Sequence, residues 1–304
     1  MLRTDLALEA KEMYHESVGN TDAVDGVEAS SYTVYDITVT KVNVLNEKGS
    51  KTIGKPVGRY ITFEMPDFLR YGFFYHNHIA ELIKQELLNF FPDLNNKKVL
   101  VAGLGNRQIT SDALGPWTAD KLIVTGHLAE LAPQSLGELG TLYVTVPGVM
   151  GITGIETADV IKGICDKIKP DVIIAIDALA SRKTNRVATT IQMSDTGINP
   201  GSGIGNHRKE ITEKYLGVPV ISIGVPMVVD ALTLAYDAVD SLGVMNKSEI
   251  LEKISIKKQG ENALFTVTPK EIDKYAMQMS NIISSAINIT VHNISLEEID
   301  SYIS

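Results

Sequence analysis

The chain has little of what would place a protein outside the cytosol. It carries one cysteine in 304 residues, Cys165, so no internal disulfide can form, and that points to a reducing, cytosolic compartment. No apolar run approaches the ~18–20 residues that a membrane-spanning helix needs. The N-terminus, MLRTDLALEAKE, has charges where a secretory signal would place its apolar stretch. Positive charge is scarce. Lys and Arg number 28 against 37 Asp and Glu, a formal net charge of −9, which argues against a coat for DNA or an anionic membrane and leaves room only for a local basic patch. Familiar catalytic signatures are missing too: no HExxH, no Cys/His cluster with zinc-ligand spacing, no GxSxG elbow around Ser111, and no internal repeat. What is present is an ordinary globular balance, 44% hydrophobic and 21% charged, which excludes a disordered or collagen-like chain. The length allows one large domain or two modest ones, with ample residues for a core.

Three regions differ in texture. Residues 1–30 are polar and acidic and read as a loosely tied arm. Residues 31–64 are rich in Tyr, Thr, Val and Ile: SYTVYDITVTKVNVL, a turn at NEKGS, then VGRYITFEM. That is a β-rich segment, a hairpin or meander, with a bulge or bend expected at Thr40 and Lys41, where the alternation breaks. From about residue 77, helices and strands alternate. Residues 76–91 carry Ile79, Leu82, Ile83, Leu87 and Phe90 on one helical stripe, stopped by Pro92. KKVLVAGLGN, TLYVTVPG, DVIIAID and VPVISIGVP read as short buried strands of the parallel type. ETADVIKGICDKIK predicts a helix with Val160, Ile161, Ile164 and Ile168 on one face, opened by a Thr153/Glu156 capping box and stopped by Pro170. VVDALTLAYDAVDSL and residues 268–287 predict two more helices. RVATTIQM predicts an inserted strand, and SDTGINPGSGIGNHRKE a long glycine-rich loop. The succession predicts an α/β fold: a parallel or mixed sheet with helices on both faces, a β-rich N-terminal segment and an inserted strand and loop.

The chemistry centres on two aspartates. Asp177 closes the apolar run VIIAID, and Asp112 lies in the loop after VLVAGLGN. If the two strands are parallel, both carboxylates face the edge where open α/β sheets hold their ligands. Each could instead simply cap a turn or helix. Two close carboxylates can share one proton, so that one activates water while the other donates to a carbonyl or leaving group. GLGN at 103–106 invites a dinucleotide reading, but position 108 is Gln108 and no helix follows directly, so a tight turn is the simpler role. A nucleotide-binding module remains the non-enzymatic alternative. His76 and His78 are two apart and cannot share a helix face. His207, in the glycine-rich loop, could complete a metal site with Asp112 and Asp177. Cys165 reads as a core residue.

Taken together, GLGNRQITSDALGPW (103–117), AIDALASR (175–182), NPGSGIGNHRKEI (199–211), ISIGVPMVVDA (221–231) and the opening RTDLALEA (3–10) resemble the germination protease family of spore-forming bacteria. The matches run in order over nearly the whole chain. The resemblance implies an atypical aspartic-type endopeptidase that degrades the small acid-soluble spore proteins coating DNA in the dormant spore. It implies Asp112 and Asp177 as the catalytic pair, no cofactor, no resident metal, no direct nucleic-acid or membrane partner, a homotetramer, and a place in the forespore cytoplasm. It also implies a fold like that of hydrogenase maturation proteases, which recognise nickel through acidic residues; such a metal-recognising protease is the nearest alternative. The family is made as a self-processing zymogen, and Thr4-Asp5-Leu6-Ala7-Leu8-Glu9 resembles its substrates' cleavage sequence. The expectation is therefore a cut between Asp5 and Leu6, with 1–5 as propeptide and 6–304 as a single peptidase domain.

Overall fold

The computed structural model describes residues 4–19, 23–66, 72–132, 134, 137–201, 208–241 and 265–303. In chain order the first half comprises α1 (Ala7–Val18), β1 (Val27–Val34), β2 (Ile37–Val44), α2 (Glu47–Ile53), β3 (Gly58–Glu64), α3 (Gly72–Phe90), β4 (Lys98–Gly103), α4 (Leu114–Ala119), α5 (Gly126–Leu131) and β5 (Thr141–Thr145). Then follow α6 (Met150–Thr153), α7 (Thr157–Ile168), β6 (Val172–Ser181), β7 (Thr190–Ser194), α8 (Glu213–Leu216), β8 (Val220–Asp230), α9 (Ala231–Ser241), β9 (Thr266–Val267) and α10 (Ile272–Val291). The strands form one mixed nine-stranded sheet in the order β1-β2-β3-β7-β8-β6-β4-β5, with β9 on β8. Pairing is parallel across β8-β6-β4-β5 and antiparallel from β8 through β7 to β1. The α/β fold expected above, with the β-rich segment and the inserted strand as one antiparallel wing, is what forms.

Alternation along the strands explains the two layers. Val172, Ile174 and Ile176 of β6 face a core closed by α3 and α10, where Ile79, Ile83, Leu87, Met279, Ile283 and Ile287 are fully buried. Ile173 and Ala175 face the other way, under Ala158, Ile161 and Cys165 of α7. A third cluster sets Ala7 and Ala10 of α1 on Val42, Val44 and Tyr60 of the antiparallel wing.

Local expectations fail in instructive places. The N-terminal arm is not loose: residues 7–18 are a helix, and Leu6, Ala7 and Glu9 are inaccessible to solvent. No bulge interrupts β2 at Thr40 and Lys41; both pair in register with β1 and β3. The hairpin turns instead at Tyr35 and Asp36, whose φ values of 48° and 61° are those of a tight two-residue turn. NEKGS is not a turn but the start of α2, because the Asn46 side chain accepts from the Lys48 and Gly49 N–H groups. Thr153 does not cap α7. It ends α6, and its hydroxyl accepts from Ile155 N–H. Strand β6 runs four residues past Asp177, and β8 includes the VVD that patterning assigned to a helix. The two strands extend because they pair with each other through Ser181 and Val229.

Phe63 is fully buried where the antiparallel wing meets the central core. Phe63→Ala should cost about 3–5 kcal/mol in chemical denaturation through the transfer loss and the cavity left behind.

Candidate active site

The site begins where β4 stops. The Leu104 N–H still donates to the Ile176 carbonyl (2.8 Å), the last rung between β4 and β6. The chain then turns back so tightly that a methyl group on Gly115 would lie 2.4 Å from Leu104 N and 2.6 Å from Ile176 O. One on Gly105, at φ +107°, would lie 2.0 Å from the Asp112 carbonyl oxygen. The glycines of GLGN thus admit the returning loop. The Asn106 N–H donates both to the Asp112 carbonyl (3.0 Å) and to Asp112 Oδ2 (2.8 Å), and the Asp112 N–H donates to Ile109 (2.7 Å). Asp112 is therefore held by its own loop, half-buried, beside the end of β4.

Asp177 follows Ile176 on β6 and points to the opposite face of the sheet. It is 6% exposed, and its Oδ1 accepts from the Ala178 N–H (2.9 Å). Asp112 and Asp177 line one cavity of about 330 Å³, together with Asp5, Glu156, Arg208 and Lys209. The sheet edge brings the two sequence-predicted aspartates together, although Asp177 lies within β6 and not at its end.

Beyond Ile176, β6 has no β4 beside it, and the N-terminal segment takes that place. The Asp5 N–H donates to the Ala180 carbonyl (2.9 Å), and the Ala180 N–H donates to Asp5 Oδ2 (2.8 Å). The Leu6 N–H donates to Thr4 Oγ1 (3.0 Å), and the Thr4 hydroxyl donates to Glu9. Glu9 also accepts from the Arg182 and Lys183 N–H groups just past β6. On its other side the segment is met by Lys55 and Gln192, two residues that sequence patterning does not single out. Lys55 Nζ donates to the Thr4 (3.0 Å) and Asp5 (2.9 Å) carbonyls. Gln192 Nε2 donates to the Asp5 carbonyl (3.2 Å), while its Oε1 accepts from Ala7 N–H (2.7 Å). No local motif flags a lysine before Pro56 or a glutamine in a strand; only the register between distant strands sets them here.

Burial dominates the electrostatics. It drives the Asp177 carboxyl well above the ordinary range, and the charges of Asp112 and Asp5 push the same way against the Ala178 hydrogen bond. Burial raises Asp112 as well, opposed by the Asn106 N–H. The two carboxyls therefore titrate as a pair, with the more deeply buried Asp177 the harder to ionise. Among the described residues no group of three or more His, Cys, Asp or Glu side chains is placed to hold a metal ion. His207 lies outside the described residues. His78 stacks on Tyr35 at 4.0 Å, and Cys165 is a buried free thiol in the core.

Two carboxyls with raised pKa values line one cleft, where β4 stops and β6 runs on, an arrangement able to carry acid–base chemistry. Residues 7–259 match the family model described as Germination protease. The chain is 44% identical to the germination protease of Clostridium tetani, over 99% of each chain. It is 42% identical to that of Clostridium perfringens SM101 over 99% of each, and 43% identical to that of Caldanaerobacter subterraneus over 95% of this chain and 94% of the other. Among solved structures, the hydrogenase maturation protease HycI of Thermococcus kodakarensis aligns with 66% of this chain and 98% of its own, at 15% identity and a TM-score of 0.36. The chain belongs to the germination protease family, and it is a protease. Among the described residues no helix is long and apolar enough to cross a membrane.

A carboxyl with a raised pKa binds its proton more tightly in the folded than in the unfolded chain, so it costs nothing below the ordinary carboxylate range and destabilises as pH rises above it. Asp177→Asn keeps the acceptor for Ala178 and removes the charge. It should raise the thermal midpoint at pH 7, with the gain shrinking to nothing near pH 3, below the unfolded carboxylate pKa of about 3.9; calorimetry across that range measures it.

Proposed function

We propose that this protein is an endopeptidase that starts the breakdown of small acid-soluble spore proteins during germination, with Asp112 and Asp177 sharing the proton that hydrolysis requires. The observation that carries the reading is the carboxyl pair lining one cavity, half-buried Asp112 and buried Asp177, with burial raising both and Asp177 the more strongly. Asp112 is then the base that takes a proton from water as its oxygen adds to the peptide carbonyl. Asp177 is the acid that gives its proton to the departing nitrogen. Ile109, Met150 and Asn199 line the same cavity as the carboxyls and are available to contact a bound peptide. The family resemblance supplies the substrate, the forespore cytoplasm and the homotetramer.

The reading includes a zymogen. Residues 1–5 are the propeptide, cut by the protein itself between Asp5 and Leu6, and residues 6–304 remain as the single peptidase domain. Asp5 supports this, because it lies in the same cavity as Asp112 and Asp177 and occupies the free edge of β6 that an incoming peptide would need. Before cleavage, then, the chain blocks its own site.

Three measurements test the reading. Asp112→Asn and Asp177→Asn should each lower cleavage of a small acid-soluble spore protein by about 10²–10⁴-fold; near-full activity in either folded variant removes the pair. The rate of the active enzyme should be bell-shaped in pH, with both limbs above the usual carboxylate range: the acid limb follows protonation of Asp112, the basic limb loss of the Asp177 proton. N-terminal sequencing after acid incubation should find Leu6 first, and a chain lacking residues 1–5 should be active without processing. A mature terminus elsewhere, or an inert truncated chain, overturns the zymogen reading.

A further inference from the structure

The strand edge explains how residues 4–6 are held but not why two side chains from separate elements converge on one carbonyl. Lys55 stands between the left-handed Gly54 that ends α2 and Pro56, which biases it to extended backbone. Gln192 comes from β7, opposite Gly224 of β8. Both send an N–H to the carbonyl oxygen of Asp5, at 2.9 and 3.2 Å. That carbonyl belongs to the peptide bond between Asp5 and Leu6. Asp5 borders both the acidic cavity, lined by Asp112 and Asp177, and a second one of about 810 Å³, lined by Lys55 and Gln192.

We propose that Lys55 Nζ and Gln192 Nε2 form the oxyanion site of this protease, stabilising the negative charge that develops on the scissile carbonyl oxygen. The proposal rests on the cleavage between Asp5 and Leu6 proposed above. When water adds to the Asp5 carbonyl carbon, a C–O bond forms and the carbonyl π pair moves onto oxygen, while Asp112 accepts the water proton. The charge then faces an ammonium and an amide donor already in place. Its return to the carbonyl breaks the C–N bond, and the Leu6 nitrogen leaves with the proton from Asp177. The products are an Asp5 carboxyl and a Leu6 amine, and no other reactant is needed.

The surroundings suit the role. Burial of the ammonium lowers the Lys55 pKa, whereas the nearby Asp5 and Glu9 carboxylates act to raise it. A donor drawn out of water interacts with developing charge more strongly than a solvated one, and it needs no reorganisation as the charge appears. Gln192 is doubly engaged, its Oε1 accepting from Ala7 N–H beyond the bond, which orients Nε2 towards the carbonyl.

The test is the first-order rate of self-cleavage in the full chain, read by mass spectrometry, with hydrogen exchange of the Ala180 amide as a measure of docking. Lys55→Met keeps an unbranched side chain, one atom shorter, and removes the donor. It should slow cleavage by about 10²–10³-fold, the loss typical of one oxyanion donor, while Ala180 stays protected because Asp5 Oδ2 still accepts from it. Lys55→Arg should recover part of the rate. Gln192→Glu retains the acceptor for Ala7 and loses the donor to Asp5, so it should also slow cleavage; it decides the matter if Lys55→Met does not fold. Cleavage at an undiminished rate in either folded variant overturns the oxyanion site and leaves the cleavage reading intact. Slow cleavage accompanied by loss of Ala180 protection reduces Lys55 to a tether and overturns it too. If the unaltered chain is never cut between Asp5 and Leu6, the cleavage reading fails and this one with it.

Discussion

Strand β6 outruns its neighbour β4. β4 ends at Gly103, paired with Ile176, while β6 continues to Ser181 along β8. From Asp177 onward one edge of β6 therefore has backbone donors and acceptors without a strand to meet them, and buried groups of that kind must find partners. Asp112 comes back in the loop that leaves this gap, Asp177 is the first residue past it, and the N-terminal segment fills it through Ala180. The mismatch in length between two parallel strands thus creates the cleft, places its carboxyls and supplies the edge on which a peptide lies.

Holding that peptide takes charge as well as backbone pairing. Glu9, with no solvent exposure, accepts from two backbone N–H groups after β6 and lies 3.5 Å from Arg186. Arg186 in turn bridges Glu12 and Glu64, each at 2.7 Å, which ties α1 to β3. A buried carboxylate with this many donors is affordable only because each is fixed by an element that the core already positions. Through the Thr4 hydroxyl, which donates to Glu9, the same network fastens the segment beside the acidic pair.

Much of the fold was legible. Strands β4, β5, β6 and β8 announce themselves as apolar runs, and α3 and α7 as periodic stripes, because burial on two faces or one leaves its mark on composition. The local errors share a cause. At Thr40 and Lys41 the pattern breaks, yet pairing continues, because neighbours on both sides hold β2 in register. Asn46 converts an expected turn into a helix with one side chain. Asp177 looks like a strand end because a charge follows five apolar residues; only the partner β8 shows that the strand goes on.

The sequence by itself determined the class of fold, the family, and the two aspartates that a parallel sheet would bring to one edge. Those follow from periodicity, from turn chemistry and from motifs whose residues are near one another in the chain. Tertiary structure decided how deeply each aspartate is buried and that Asp5, more than a hundred positions earlier in the chain, shares their cavity. It also brought Lys55 and Gln192, which lie 137 positions apart, to one carbonyl, that of Asp5, a common target they acquire only when β3, β7 and β8 pair. Contacts of that range leave no periodic trace in a sequence.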